Sequence, residues 1–171
     1  MRSESLQDLY LEQMKDLYAA EEQIIAALPK MARAASSFEL EGAFRKHFAQ
    51  TKTHAKRLEQ VFDVLEADVV EEVGDKYCVG MKGLLAEGEE LERHEEFEPE
   101  VLDVALIALA QRIAHYKMAA YGTARNYARF LGLQRPSELL QRTLDEVKET
   151  DLLLDSIAKR IIETHVGEPH G

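Results

Sequence analysis

Apolar residues recur along most of this chain at alternating spacings of four and three, the signature of one helix face turned toward a core. In the first third, Tyr10, Met14, Leu17, Glu21, Ile24, Leu28 and Met31 form such a stripe. A second runs through Phe44, His47, Thr51, His54, Leu58, Val61 and Leu65, with Gln50 at its edge. The third comprises Leu106, Leu109, Ile113, Lys117, Ala120, Ala124, Tyr127 and Leu131, and the fourth Leu140, Leu144, Val147, Asp151, Leu154, Ala158 and Ile162. The pattern predicts long helices over about 5–35, 39–66, 100–131 and 136–165. A shorter one is expected near 81–92, inside the connection "ADVVEEVGDKYCVGMKGLLAEGEELERHEEFEP".

Loop lengths turn these helices into a topology. The short breaks near 35–38 and 132–136 make two antiparallel helical hairpins, with Gly132 suited to end one helix and Pro136 to open the next. The long middle connection can cross the length of a bundle. Two hairpins joined by one crossover give an all-α, single-domain, ferritin-like four-helix bundle spanning 1–171. Two successive hairpins without the crossover are the alternative.

Each long stripe carries at least one ionisable intruder, and burying a charge is costly unless an opposite charge meets it. Reflection about the hairpin turns, near 37 and near 134, sets residue 21 opposite 54 and residue 117 opposite 151. Glu21, His54, Lys117 and Asp151 are therefore expected in one or two layers, with Lys117 facing Glu21 and Asp151. Carboxylates and imidazoles meeting inside a bundle are also how di-iron and di-manganese centres are built, from a Glu on each of two helices and a Glu-x-x-His on each of the other two. That set is incomplete here. No Glu-x-x-His stands at the right place on the second or fourth helix, and Ala114 and Lys117 occupy "AHYK".

Composition narrows the partners. A net charge of −11 with 31% charged residues argues against nucleic acid or an anionic membrane as partner, since both draw on clustered Lys and Arg. Cys78 is the single cysteine, so no internal disulfide or cysteine zinc site is available; it is expected to be structural. The N-terminus "MRSESLQDLYLEQ" has no apolar signal region, and the expected location is the cytoplasm. His47 is expected in the core, His115 outside it and His94 in a solvated acidic stretch. The tyrosines are expected to pack with their hydroxyls near the bundle edges. Nucleophile elbows, phosphate loops and dinucleotide fingerprints are absent.

The segments "DLYAAEEQIIAALPKMARAA", "FRKHFAQTKTHAKRLEQVF", "YCVGMKGLLAEGEEL", "VLDVALIALAQRIAHYKMAAYGTARNYARFLG" and "LLQRTLDEVKETDLLLDSIA" together resemble the YciE/YciF family of ferritin-like bacterial proteins. The resemblance implies a ferritin-like bundle, a homodimer, association with stress responses and a di-metal centre. Glu21 matches that family's glutamate on the first helix, and His54 and Asp151 fall where it often places polar ligands. Gln50, Ala114, Lys117 and Val147 stand where similar proteins carry carboxylates. The expected protein is thus a non-catalytic dimer or partner-binding scaffold, holding no cofactor, with Lys117 in the metal position. The alternative is a redox or metal-holding protein that binds one iron or manganese ion through Glu21, Gln50, His54 and Asp151.

Overall fold

The computed structural model describes residues 5–65, 77–93 and 96–166; the expectations placed on Glu66 and His94 lie outside them. Five α-helices account for nearly all of that chain: α1 Leu6–Ala34, α2 Phe38–Val64, α3 Val79–Arg93, α4 Pro99–Phe130 and α5 Gln134–Ile161, the last ending in a π-helical turn, Ile162–Val166. The predicted helices agree to within a few residues. The largest difference is at the end of α5, where the α-helix stops at Ile161 rather than near 165 and the chain continues as the π-helical turn; α5 also begins two residues before Pro136, which lies inside its first turn.

Local chemistry sets the ends. The hydroxyls of Ser5 and Ser37 accept the Asp8 and Leu40 amides at 3.2 and 3.3 Å, which satisfies a free donor at each helix start. Gly132 has φ +73°. This conformation lets Leu133 N–H reach Ala128 O and Gly132 N–H reach Arg129 O, at 2.8 and 3.1 Å, a closure that absorbs the last carbonyls of α4.

Register pairs recover the topology. The pairs Glu21–Lys117 and Ser36–Asp103, Arg57–Thr143 and Gln50–Thr150, and Arg129–Ser137 and Gln111–Asp151 step in opposite directions. So α1/α4, α2/α5 and α4/α5 are antiparallel, as the short turn at 35–37 makes α1/α2, where Tyr18 meets Glu59. The diagonal helices α2 and α4 then run the same way, so the chain leaving α2 must return along the whole bundle before α4 begins. At about 1.5 Å per residue, the 27 residues of α2 set that distance at roughly 40 Å. This is the expected ferritin-like order, and the alternative without a crossover is ruled out.

On the return, α3 climbs the groove between α1 and α4. Its backbone at Cys78 exchanges two hydrogen bonds with the Gln23 side chain, at 2.9 and 3.3 Å. Gly88 seats it: a Cβ there would come within 2.4 Å of Leu109. Inside, Met14, Leu17, Ile24, Leu28, Phe44, Leu58, Leu106, Ile113, Leu144 and Leu154 form one apolar core. It is interrupted at one level by charge.

Candidate functional site

At that level α1, α2, α4 and α5 each contribute ionisable groups. Glu21 and Lys117 are both fully buried, with Nζ 2.9 Å from Oε2. This contact is coulombic rather than an aligned hydrogen bond. The aligned contact of the ammonium is with His54 Nδ1, at 3.0 Å. Accepting there requires an unprotonated Nδ1, so Nε2 carries the proton and donates it to Glu146 Oε2 at 2.9 Å. Glu146 is clamped in turn by Arg57 through two bonds of 2.6 and 2.7 Å, and Arg57 reaches Thr143 as well. The Tyr121 phenol donates to the other Glu21 oxygen at 2.6 Å. Two anions, two cations and a neutral imidazole balance the layer.

The electrostatics agree with this protonation. Burial, then the charges of Lys117 and Arg57, hold His54 neutral, well below the ordinary imidazole value. Burial and the Glu21 charge drive the Tyr121 phenol far above its ordinary value. His47, two turns along α2, is pushed down to about 3 by burial and by Lys117, and its Nδ1 has no partner.

Stability should follow pH accordingly. The unfolded chain takes up a proton at His47 near its ordinary value of 6.5, and the folded chain refuses it down to about 3. The contribution is therefore complete above pH 6.5 and is lost as pH falls toward 3. By pH 5 the loss is about 2 kcal/mol from this histidine, at roughly 1.4 kcal/mol per pH unit. Urea unfolding at pH 7 and pH 5 checks it, and the His47→Leu variant should show the shallower dependence.

Glu21, His54 and Lys117 stand together as expected; Asp151 and Gln50 do not join them. Asp151 lies at the α4/α5 edge, bonded to Gln111 at 3.3 Å and to the exposed His115 at 3.2 Å. The α4/α5 register is the expected one to within a residue, with Arg129 on Ser137, Arg125 on Gln141 and His115 on Asp151. Asp151 misses the layer because it turns to that edge, and the α5 carboxylate that reaches His54 is Glu146. Gln50 turns to the α2/α5 edge, where the Thr150 hydroxyl donates to it at 3.1 Å. Glu146 and Arg57 were missed because neither belongs to an apolar stripe. Tyr121 and Tyr10, expected with their hydroxyls near the edges, are fully buried.

A metal ion does not fit this donor set. Both His54 nitrogens are engaged, Arg57 neutralises Glu146, and a cationic side chain already occupies the interior. Ala114 and Val147 are buried without donors. Among the described residues no three carboxylates, imidazoles or thiolates converge.

Two other features lie apart from the layer. Cys78, buried at the start of α3, forms a triangle with the Tyr116 phenol at 2.9 Å and the Asp16 carboxylate at 3.3 Å. Its Sγ accepts the Met81 amide, and burial pushes its thiol up, in agreement with a structural role. A cleft of about 620 Å³ opens between α1 and α3 over Ala26, Ala27 and Leu85, and none of the layer residues lines it.

The fold and this site define a helical bundle whose centre is polar but closed. Comparison with known proteins gives the family. The chain belongs to the family described as a domain of unknown function, DUF892, which it matches over residues 5–167. It is 37% identical over 158 residues to protein YciF of Escherichia coli (strain K12), covering 92% of this chain and 93% of that one. The crystal structure of the E. coli stress protein YciF superposes with a TM-score of 0.89, at 35% identity, covering 95% and 99% of the two chains. YcfI from Rhodopseudomonas palustris, described as a candidate structural protein, gives 0.78 at 33% identity over 90% and 94%. A Xanthomonas campestris protein, 15% identical with a TM-score of 0.71 over 94% and 95%, shares the fold.

Proposed function

We propose that this chain is a non-catalytic, stress-associated member of its family, in which the charged layer takes the place of a di-metal centre and the bundle works as a dimeric or partner-binding scaffold. The observation that carries this reading is Lys117: wholly buried, 2.9 Å from Glu21 and 3.0 Å from His54. An ammonium there supplies the positive charge a metal would bring, and a divalent ion beside it would be repelled. The stress association rests on the likeness to YciF, and the scaffold role on the likeness to the Rhodopseudomonas protein. The dimer rests on the family resemblance.

Metal content tests it. Protein expressed with iron and manganese supplied, and purified without a histidine tag or chelator, should show near-zero metal per chain by plasma mass spectrometry. One ion per chain, lost on His54→Ala, would support the iron- or manganese-holding alternative. Two per chain would overturn the reading of Lys117.

A further inference from the structure

The layer brings together two groups that can react with each other. Lys117 Nζ and the Glu21 carboxylate are 2.9 Å apart in a fully buried setting. On the other side of Nζ, His54 Nδ1 waits at 3.0 Å as an acceptor. Glu146, 2.9 Å from Nε2, fixes the orientation of that imidazole. The imidazole, fixed in this way, holds the Lys117 nitrogen against Glu21, and such positioning is what brings two side chains into reacting distance. Glu21 is equipped as the electrophile. Its Oε1 accepts a 2.6 Å hydrogen bond from Tyr121, a fixed donor at the oxygen where negative charge grows when the carboxyl carbon is attacked.

We propose that Lys117 and Glu21 condense into an intramolecular isopeptide bond that ties α4 to α1. The bond formed joins Nζ to the Glu21 carboxyl carbon, and the bond broken is that carbon to Oε2. Of the three ammonium hydrogens one stays on nitrogen, and two leave with Oε2 as water. The pair supplies every atom and no electrons are exchanged, so neither an oxidant nor a co-reactant enters. One proton passes from Nζ to Oε2 across the 2.9 Å contact, which leaves a neutral amine to attack a neutral carboxyl. A second follows from nitrogen to the same oxygen as it departs, while His54 Nδ1 keeps Nζ oriented.

Three features favour the product. Groups held in contact react with effective molarities of roughly 10⁵–10⁸ M when well oriented. Buried ions have lost their hydration, so a neutral amide suits the core better than it would suit water. The amide also keeps both existing partners, its N–H donating to His54 Nδ1 and its carbonyl accepting from Tyr121. Because an ion pair of zero net charge becomes a neutral group, the Glu146–Arg57 pair beside it is left undisturbed.

The proposal rests on the reading of Lys117 as the resident cation of the layer, and intact mass tests it on the wild-type chain. Under denaturing conditions, folded and purified protein should weigh one water less than its sequence, and digestion should yield a branched peptide joining the Glu21 and Lys117 segments. Lys117→Arg should restore the full mass, and Tyr121→Phe should slow the appearance of the light species during refolding. A full-mass chain after prolonged incubation of the folded protein, or a water loss mapping elsewhere, would overturn the bond. Metal measured on the same sample separates the two claims. A metal-free, full-mass chain overturns the bond and leaves the proposed function standing, whereas a metal-loaded chain overturns the proposed function itself.

Discussion

Replacing Lys117 by glutamate should cost the bundle about 5 kcal/mol or more, because it removes the cation that touches Glu21 and adds a third anion to the layer. Against a total stability of about 5–15 kcal/mol for a domain of this kind, such a loss removes from about a third to all of it. Lys117→Met separates the two parts of the effect. It keeps the length of the side chain and leaves Glu21 uncompensated, for an expected cost of about 3–5 kcal/mol. Combining it with Glu21→Gln removes the stranded charge, so the double variant should be more stable than Lys117→Met. Urea unfolding followed by circular dichroism reads all three. A Lys117→Glu protein as stable as wild type would mean that the buried pair contributes nothing to the fold.

The second large effect is expected at Asp103, which is 1% exposed near the start of α4. Its two carboxylate oxygens accept the backbone amides of Ser36 and Ser37 at 2.7 and 2.8 Å and the Ser36 hydroxyl at 2.9 Å. A carboxylate thus completes the turn between α1 and α2 from another hairpin. Asp103→Ala strands those donors and should cost about 2–4 kcal/mol, since hydrogen bonds to charged acceptors contribute about 1.5–3 kcal/mol each and do not add fully. Asp103→Asn keeps one good acceptor and should lose about half as much. Amide exchange at Ser36 and Ser37 is the local readout: if it stays as slow in Asp103→Ala as in wild type, the carboxylate does not hold the turn.

Helical periodicity made the bundle legible in the sequence, because four apolar stripes and two short breaks leave few ways to pack. Glu21, His54 and Lys117 were legible for a related reason: charge inside an apolar stripe demands a partner. The fourth member was not. Asp151 does stand within a residue of the expected height, opposite His115, but periodicity does not fix which way a residue at the margin of a stripe turns, and it turns to the α4/α5 edge. Glu146 and Arg57 lie in charged stretches, "LDEVKET" and "HAKRLE", where an Arg–Glu pair looks like ordinary surface chemistry. Only the antiparallel register of α2 and α5 brings them onto His54. Tyr121 was hidden differently, since nothing in a sequence tells a phenol at the edge of a stripe from one whose hydroxyl reaches a buried carboxylate.

The contact between Asp103 and the Ser36–Ser37 turn bears on the order in which the chain assembles. The first hairpin can close from contacts local in sequence, but the partner of its turn lies 67 residues away, beyond the entire crossover. Until the crossover has closed, the amides of that turn are left to water. Long-range closures are slow relative to helix formation because chain entropy is lost before the contact is gained. The first hairpin is therefore able to form early but not to finish, and its completion reports that the second has arrived in register.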